Sequence, residues 1–286
     1  MKQDLMKGVI DMHVHTNPDL RLRAYDDFEL MRRRSGLGHA LSSSRRIREP
    51  RWIGRICATA TTRLYTGNEQ FTMFGSITLN KVVGGINPKA VDVALRLGAK
   101  VVWLPTQSAK NHMQKMNQDL SQSVEVVKDG KIVPELRSVL ELIRDHNAVL
   151  GTAHIAPEEI FTVVEAARDM GVKNIVVTHP EWWIVGMSHE DQLRLVKDYD
   201  VILERCYAQN MGGGKYKSNL ADNLELIKEV GYKNVMVDTD GGQTENPHWE
   251  LALAEYMQYL VDHGIPEEHV YHMTHTIPEK LLGIEE

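Results

Sequence analysis

The chain has 286 residues, of which 42% are apolar and 25% charged, enough for one large domain with a filled core. Its net charge of -6 gives no electrostatic reason to expect nucleic-acid or anionic-membrane binding. Only two cysteines, Cys57 and Cys206, occur, with no signal-type apolar segment and no apolar run of about 18 residues. These features exclude a disulfide framework and argue against a thiolate metal cluster or a membrane span, so a cytoplasmic protein is expected.

The first strand is expected at 8–14, in Val9-Ile10-Asp11-Met12-His13-Val14-His15-Thr16. Residues two apart on a strand share a face, so His13 and His15 present two imidazoles to one point, as metal binding requires. Asp11 lies on the same face, where it is expected to hold the His13 ring from behind. A helix near 26–35 follows, then strands near 39–45 and 72–79. Asn87-Pro88 opens a helix near 88–97, Gly98 closes it, and a strand follows near 100–105. The connection 106–133 is longer than the others. It carries Asn111-His112 and a Lys128-Asp129-Gly130-Lys131 turn, and reads as a loop with a small hairpin, either a lid over the site or a solvated insertion. His112 is a candidate substrate contact.

Helices near 134–146 and 157–170 bracket a strand near 147–153 that ends at His154. A strand near 174–178 ends at His179 and runs into Trp182-Trp183, which either line a pocket or pack the rim. After a helix near 189–197 comes a strand near 200–205 carrying Glu204, a candidate substrate contact. Gly212-Gly213-Gly214-Lys215 lacks the spacing of a phosphate loop and reads as a flexible loop. A helix near 218–229 precedes the strand near 234–238, just beyond which stand Asp240 and a further candidate substrate contact, Gln243. Helices near 248–263 and 278–282 complete the chain. His39, His146, His189, His263, His269, His272 and His275 have no matched partners in the pattern and read as structural or solvent-facing.

Seven or eight βα units in this length imply an α/β fold, a single (β/α)8 TIM barrel over residues 1–286. Catalytic groups in that fold sit at the C-terminal strand ends, where His15, His154, His179 and Asp240 fall. Nitrogen and oxygen donors without sulfur suit one or two divalent ions of zinc, manganese, nickel or iron, and ligand type alone does not choose among them; zinc is the expected ion. A divalent ion lowers the pKa of its bound water to roughly 7, and Asp240 would take that water's proton, so the expected reaction is hydrolysis of a small-molecule substrate.

The set His13-x-His15, His154, His179 and Asp240 resembles the amidohydrolase superfamily of metal-dependent hydrolases. The segments Asn80-Lys81-Val82-Val83-Gly84-Gly85-Ile86-Asn87-Pro88, Ala99-Lys100-Val101-Val102-Trp103-Leu104-Pro105-Thr106, Asp240-Gly241-Gly242-Gln243 and Leu281-Leu282-Gly283 look like an uncharacterised branch of it, known by a domain-of-unknown-function label. The resemblance implies that His13 and His15 bind the more buried metal, that His154 and His179 bind a second, and that Asp240 binds metal and handles the proton. It implies cleavage of an amide, lactone or other ester bond, and it names no substrate. A metal-dependent phosphoesterase of the polymerase-and-histidinol-phosphatase type, whose first motif is similar to Asp11-Met12-His13-Val14-His15-Thr16, remains open, as do a decarboxylase and a catalytically silent ligand-binding barrel. A homo-oligomer is the default expectation.

The chain departs from the superfamily where a metal-bridging lysine is expected after the second strand. Leu41 to Arg55 is basic and nearly non-periodic, a poor buried strand. Synonymous codons for this stretch, read in the neighbouring frame, spell an apolar strand and a lysine, Leu-Val-Ile-Lys-Ser-Gln-Asp-Pro-Gly. Our hypothesis is that residues 41 to about 62 are a frameshifted tract; sequencing the source gene and finding these residues encoded unambiguously would overturn it.

Overall fold

The structure, a computed structural model, describes residues 5–19, 21–34, 40–43, 72–212 and 214–284. Of the tract from residue 41 to about 62, everything beyond Ser43 lies outside the described residues, as does His39. The chain divides into two compact units: one holds the described residues before Ser76 together with Arg205–Glu286, and the other is Ser76–Glu204.

The Ser76–Glu204 unit is built on parallel strands in the order Ser76–Thr78, Val101–Trp103, Val149–Gly151, Asn174–Val177 and the start of Ile202–Cys206. Val101, Val102, Val149, Leu150, Ile175, Val176 and Val177 are all buried, the unbroken apolar run expected of strands covered on both faces. Gly151 is required here, because a Cβ would lie 2.2 Å from Cε3 of the Trp103 ring on the neighbouring strand. Helices Pro88–Arg96, Pro134–Asp145, Pro157–Asp169 and His189–Tyr199 alternate with these strands. The Asn87 side chain accepts from the Ala90 N–H and Pro88 occupies the first turn, so that helix start is fixed locally. Leu136, Val139, Leu140 and Ile143 form the buried stripe of Pro134–Asp145, at the spacing that a 3.6-residue period demands.

In the other unit, strands Asp11–Val14, Ala40–Ser43 and Thr72–Phe74 pair in parallel. Val14 also bridges Gly241, just past strand Val235–Asp238. Val9, Val14, Leu30, Val235, Val237 and Leu253 belong to its apolar core. Helices Asp27–Arg34, Leu220–Val230, Trp249–Asp262, Glu267–Tyr271 and Ile277–Leu282 belong to it, with a π-helical turn at His272–Thr276.

The expected strand near 39–45 forms at Ala40–Ser43. The expected strand 72–79 is two strands broken at Gly75, one in each unit. The connection 106–133 holds the expected hairpin, Val127–Lys128 against Lys131–Ile132, and also a helix at Lys110–Lys115. Six residues are too few to print a helical period on the sequence. Where a flexible glycine loop was expected, Ala208–Gly212 and Lys215–Ser218 pair antiparallel, so Gly212 and Lys215 are strand residues, and Gly213 lies outside the described residues. No helix among the described residues is long and apolar enough to cross a membrane.

Candidate metal centre

His13 and His15 leave the first strand towards Asp240. His13 Nε2 lies 3.1 Å and His15 Nε2 2.7 Å from the same oxygen, Asp240 Oδ1. The three donor atoms fall within 4.8 Å of one another, and His13 is fully buried. The backbone sets this geometry. The His15 N–H donates to the Gly241 carbonyl at 2.8 Å and the Gly241 N–H donates to the His13 carbonyl at 3.1 Å, lacing the Asp240 turn to the histidine strand. Asp240 itself sits at φ 48, a left-handed conformation that aspartate tolerates at modest cost. Gly242, at φ 97, admits no other residue, because a Cβ would lie 1.9 Å from the His15 carbonyl oxygen.

Behind the trio, Gln243 Nε2 donates to the Asp240 carbonyl at 2.7 Å, and Gln243 Oε1 accepts from Arg23 Nη1 at 3.1 Å. Arg23 is in turn gripped by Asp19 at 2.7 Å. The structure therefore engages the Gln243 amide with Arg23 and the Asp240 turn. The Asp11 carboxylate accepts from the His13 backbone N–H at 3.1 Å and from the Thr239 hydroxyl at 2.5 Å. It ties the histidine strand to the approach to Asp240 through backbone and hydroxyl.

Two buried residues next to this trio were not singled out from the sequence. Cys206 Sγ donates to Asp238 Oδ1 at 3.2 Å, and His13, Cys206 and Asp238 have ligand-type atoms within 4.8 Å of one another. A sulfur donor thus stands beside a site expected to hold only nitrogen and oxygen. Asp238 follows Met236 and precedes Asp240 in the two-residue alternation of its strand, which was the available signal. Glu204 is fully buried in Ile202–Cys206.

The Ser76–Glu204 unit gathers a second set. The His154 and His179 ring centroids lie 5.2 Å apart, and Trp182 sets its edge on both, at 4.7 and 5.0 Å. Trp182 belongs to this cluster, whereas Trp183 is 38% exposed. The strand ends that carry the histidines are cross-linked: the Ala153 N–H donates to the Thr178 hydroxyl at 3.0 Å and the Thr178 N–H to the Thr152 hydroxyl at 3.1 Å. Ala153 and His179 both have positive φ, 54 and 28. Helix Lys110–Lys115 adds His112, whose ring stacks on His154. The structure thus places His13, His15, Asp240 and Gln243 together in one unit, and His112, His154 and His179 together in the other.

The sequence profile of a family of unknown function, DUF6282, matches residues 8–204. The chain is a member of the DUF6282 family. No curated protein matches it. Among solved structures, this DUF6282 chain is similar to an amidohydrolase from Pseudomonas aeruginosa, at TM-score 0.66 and 15% identity over 98% of this chain and 97% of that one. It is also similar to the probable dipeptidase PvdM from the same organism, at TM-score 0.66 and 11% identity over 98% and 96%. A phosphotriesterase homology protein from Escherichia coli, solved with phosphate in its active site, matches at TM-score 0.61 and 11% identity over 96% and 99%. These neighbours are amidohydrolase-superfamily proteins, and the likeness gives the DUF6282 chain their α/β TIM-barrel fold. The donor set fits a divalent ion: two imidazoles and a carboxylate oxygen are first-row metal ligands, and they already converge on one point.

Proposed function

We propose that this protein is a metal-dependent hydrolase of the amidohydrolase type, cleaving an amide, lactone or other ester bond of a small molecule. The observation that carries the reading is the convergence of His13 Nε2 and His15 Nε2 on Asp240 Oδ1, at 3.1 and 2.7 Å. Zinc is the first candidate for the ion those atoms would hold, with manganese, nickel and iron behind it. A divalent ion there supplies Lewis acidity, polarising a substrate carbonyl and lowering the pKa of a water.

The chain's own groups do the rest. Asp240 takes the proton of the attacking water on a carboxylate oxygen and delivers it to the leaving group. The Arg23–Gln243 pair anchors the Asp240 backbone carbonyl, and with it the turn that presents the carboxylate to the two histidines. His154 and His179 offer two further nitrogens for a second ion, and Trp182 packs apolar surface against their rings. The amidohydrolase and dipeptidase neighbours support a hydrolytic class.

A panel of N-acyl amino acids, dipeptides, lactones and carboxyl esters, run with wild type and Asp240→Asn, tests the reading. Turnover that falls about 100- to 10,000-fold in Asp240→Asn is expected of a lost general base. Turnover of no member of the panel by metal-loaded wild type contradicts it. Phosphate release from phosphoesters, or carbon dioxide release from carboxylic acids, would move the assignment to the phosphoesterase or decarboxylase reading.

A further inference from the structure

Asp238 stands two residues before Asp240, and His13 two residues before His15. Cys206, the last residue of Ile202–Cys206, meets both: ligand-type atoms of His13, Cys206 and Asp238 lie within 4.8 Å of one another. Two ligands of one zinc ion, nitrogen at about 2.1 Å and sulfur at about 2.3 Å, stand at most about 4.4 Å apart, so a small side-chain adjustment lets one ion reach all three. The backbone aims the thiol. The Tyr207 N–H donates to the Asp238 carbonyl at 3.0 Å, and Asn223 Nδ2 donates to the Cys206 carbonyl at 2.8 Å. Cys206 Sγ is thereby brought to 3.2 Å from Asp238 Oδ1.

His13, Cys206 and Asp238 are buried, at 0%, 1% and 0% exposure. Burying a carboxylate is costly unless it is paired, hydrogen-bonded or bound to a metal, and a thiol is a weak donor that offsets little of the cost. A divalent ion reverses the balance. One thiolate and one carboxylate carry two negative charges and neutralise the ion, with His13 as a neutral third donor. Two imidazoles and one carboxylate, the set formed by His13, His15 and Asp240, leave one positive charge uncompensated. Away from solvent the neutral set is favoured, because uncompensated charge is expensive there.

We propose that the ion held at His13 is also ligated by Asp238 and by Cys206 as a thiolate, so that the centre contains sulfur on its buried side. When the ion binds, the Sγ–H bond breaks, a bond from Sγ to the ion forms, and the proton leaves to solvent. The proposal deepens the functional reading above and rests on it for an ion at His13. It also narrows the choice of ion, because a thiolate suits zinc, whereas manganese prefers oxygen donors.

Zinc-edge X-ray absorption of the zinc-loaded full chain, in wild type, Cys206→Ser and Cys57→Ser, reads the sulfur directly. Chelator competition reads zinc affinity in wild type, Cys206→Ser and Asp238→Asn, and thermal unfolding reports whether each variant is folded. The expected result is a sulfur neighbour at about 2.3 Å from zinc in wild type and Cys57→Ser, absent from Cys206→Ser. Zinc binding in folded Cys206→Ser and Asp238→Asn is expected to weaken more than roughly 100-fold, beyond the cost of losing a supporting partner. Stoichiometric zinc surrounded only by nitrogen and oxygen in wild type overturns the proposal and leaves the functional reading standing. That measurement decides the matter even where Cys206→Ser does not fold. A sulfur neighbour lost in Cys57→Ser, or zinc affinity unchanged in a folded Asp238→Asn, overturns it as well. A folded wild type that takes up no zinc overturns both.

Discussion

At the scale of single residues, the centre depends on how closely the Asp240 turn passes over the histidine strand. Gly242→Ala would put a Cβ 1.9 Å from the His15 carbonyl oxygen, at a φ that side chains rarely adopt. The expected outcome is loss of metal affinity measured by chelator competition, with destabilisation of about 1–3 kcal/mol from the strained backbone alone. Unaltered metal affinity in Gly242→Ala would mean that the turn does not position Asp240. His13 and His15 were legible from the sequence because strand alternation is local: two residues apart on one strand means one face. The place of Cys206 beside Asp238 was not, because it depends on which strand lies beside which, and no local period carries that information; Trp182 could be read only as pocket or rim, because its packing on His154 and His179 depends on how a turn folds back. Asp11 shows the same limit. Its face was legible, but its grip on the Thr239 hydroxyl needed the distance across 228 residues of chain to be closed.

At the scale of elements, buried stripes decide stability and capped ends decide boundaries. Leu140 is fully buried in Pro134–Asp145, while its neighbour Glu141 is exposed. Denaturant unfolding should place Leu140→Ala about 2–5 kcal/mol below wild type, and Glu141→Ala within about 0.5 kcal/mol of it. Equal effects of the two would refute the assigned face. Long helices with proline starts and glycine ends were readable, as Asn87-Pro88 and Gly98 illustrate. The six-residue helix Lys110–Lys115 was not, although it carries Asn111 and His112, which hydrogen-bond to His154. Neither was the pairing of Ala208–Gly212 with Lys215–Ser218, whose Gln209, Asn210, Lys217 and Tyr216 lack the apolar alternation of a half-buried hairpin.

At the scale of the whole molecule, the fold came from the repetition of βα units, and the likeness to solved amidohydrolase-superfamily proteins over almost the full chain agrees with it. Global stability also responds to acid through a site remote from the histidine clusters in sequence. His275 is buried in the π-helical turn, with Nε2 donating to the Lys7 carbonyl at 3.1 Å, and burial pushes its pKa below the ordinary histidine value. The folded state then keeps His275 neutral while the unfolded chain takes up a proton as pH falls through about 6.5. Unfolding therefore binds protons, so this residue's contribution to stability is lost as pH falls below that value and is retained above it. Denaturation midpoints measured from pH 8 to 5 should fall less steeply in His275→Gln than in wild type. Identical slopes would contradict the assignment.

The central claim is that His13, His15 and Asp240 hold a divalent ion. Elemental mass spectrometry on protein purified without chelator tests it most directly, comparing wild type with His13→Ala and Asp240→Ala. Stoichiometric metal in wild type that falls in both folded variants is the predicted result, whereas a well-folded wild type that carries no metal, even after incubation with zinc or manganese, would contradict it.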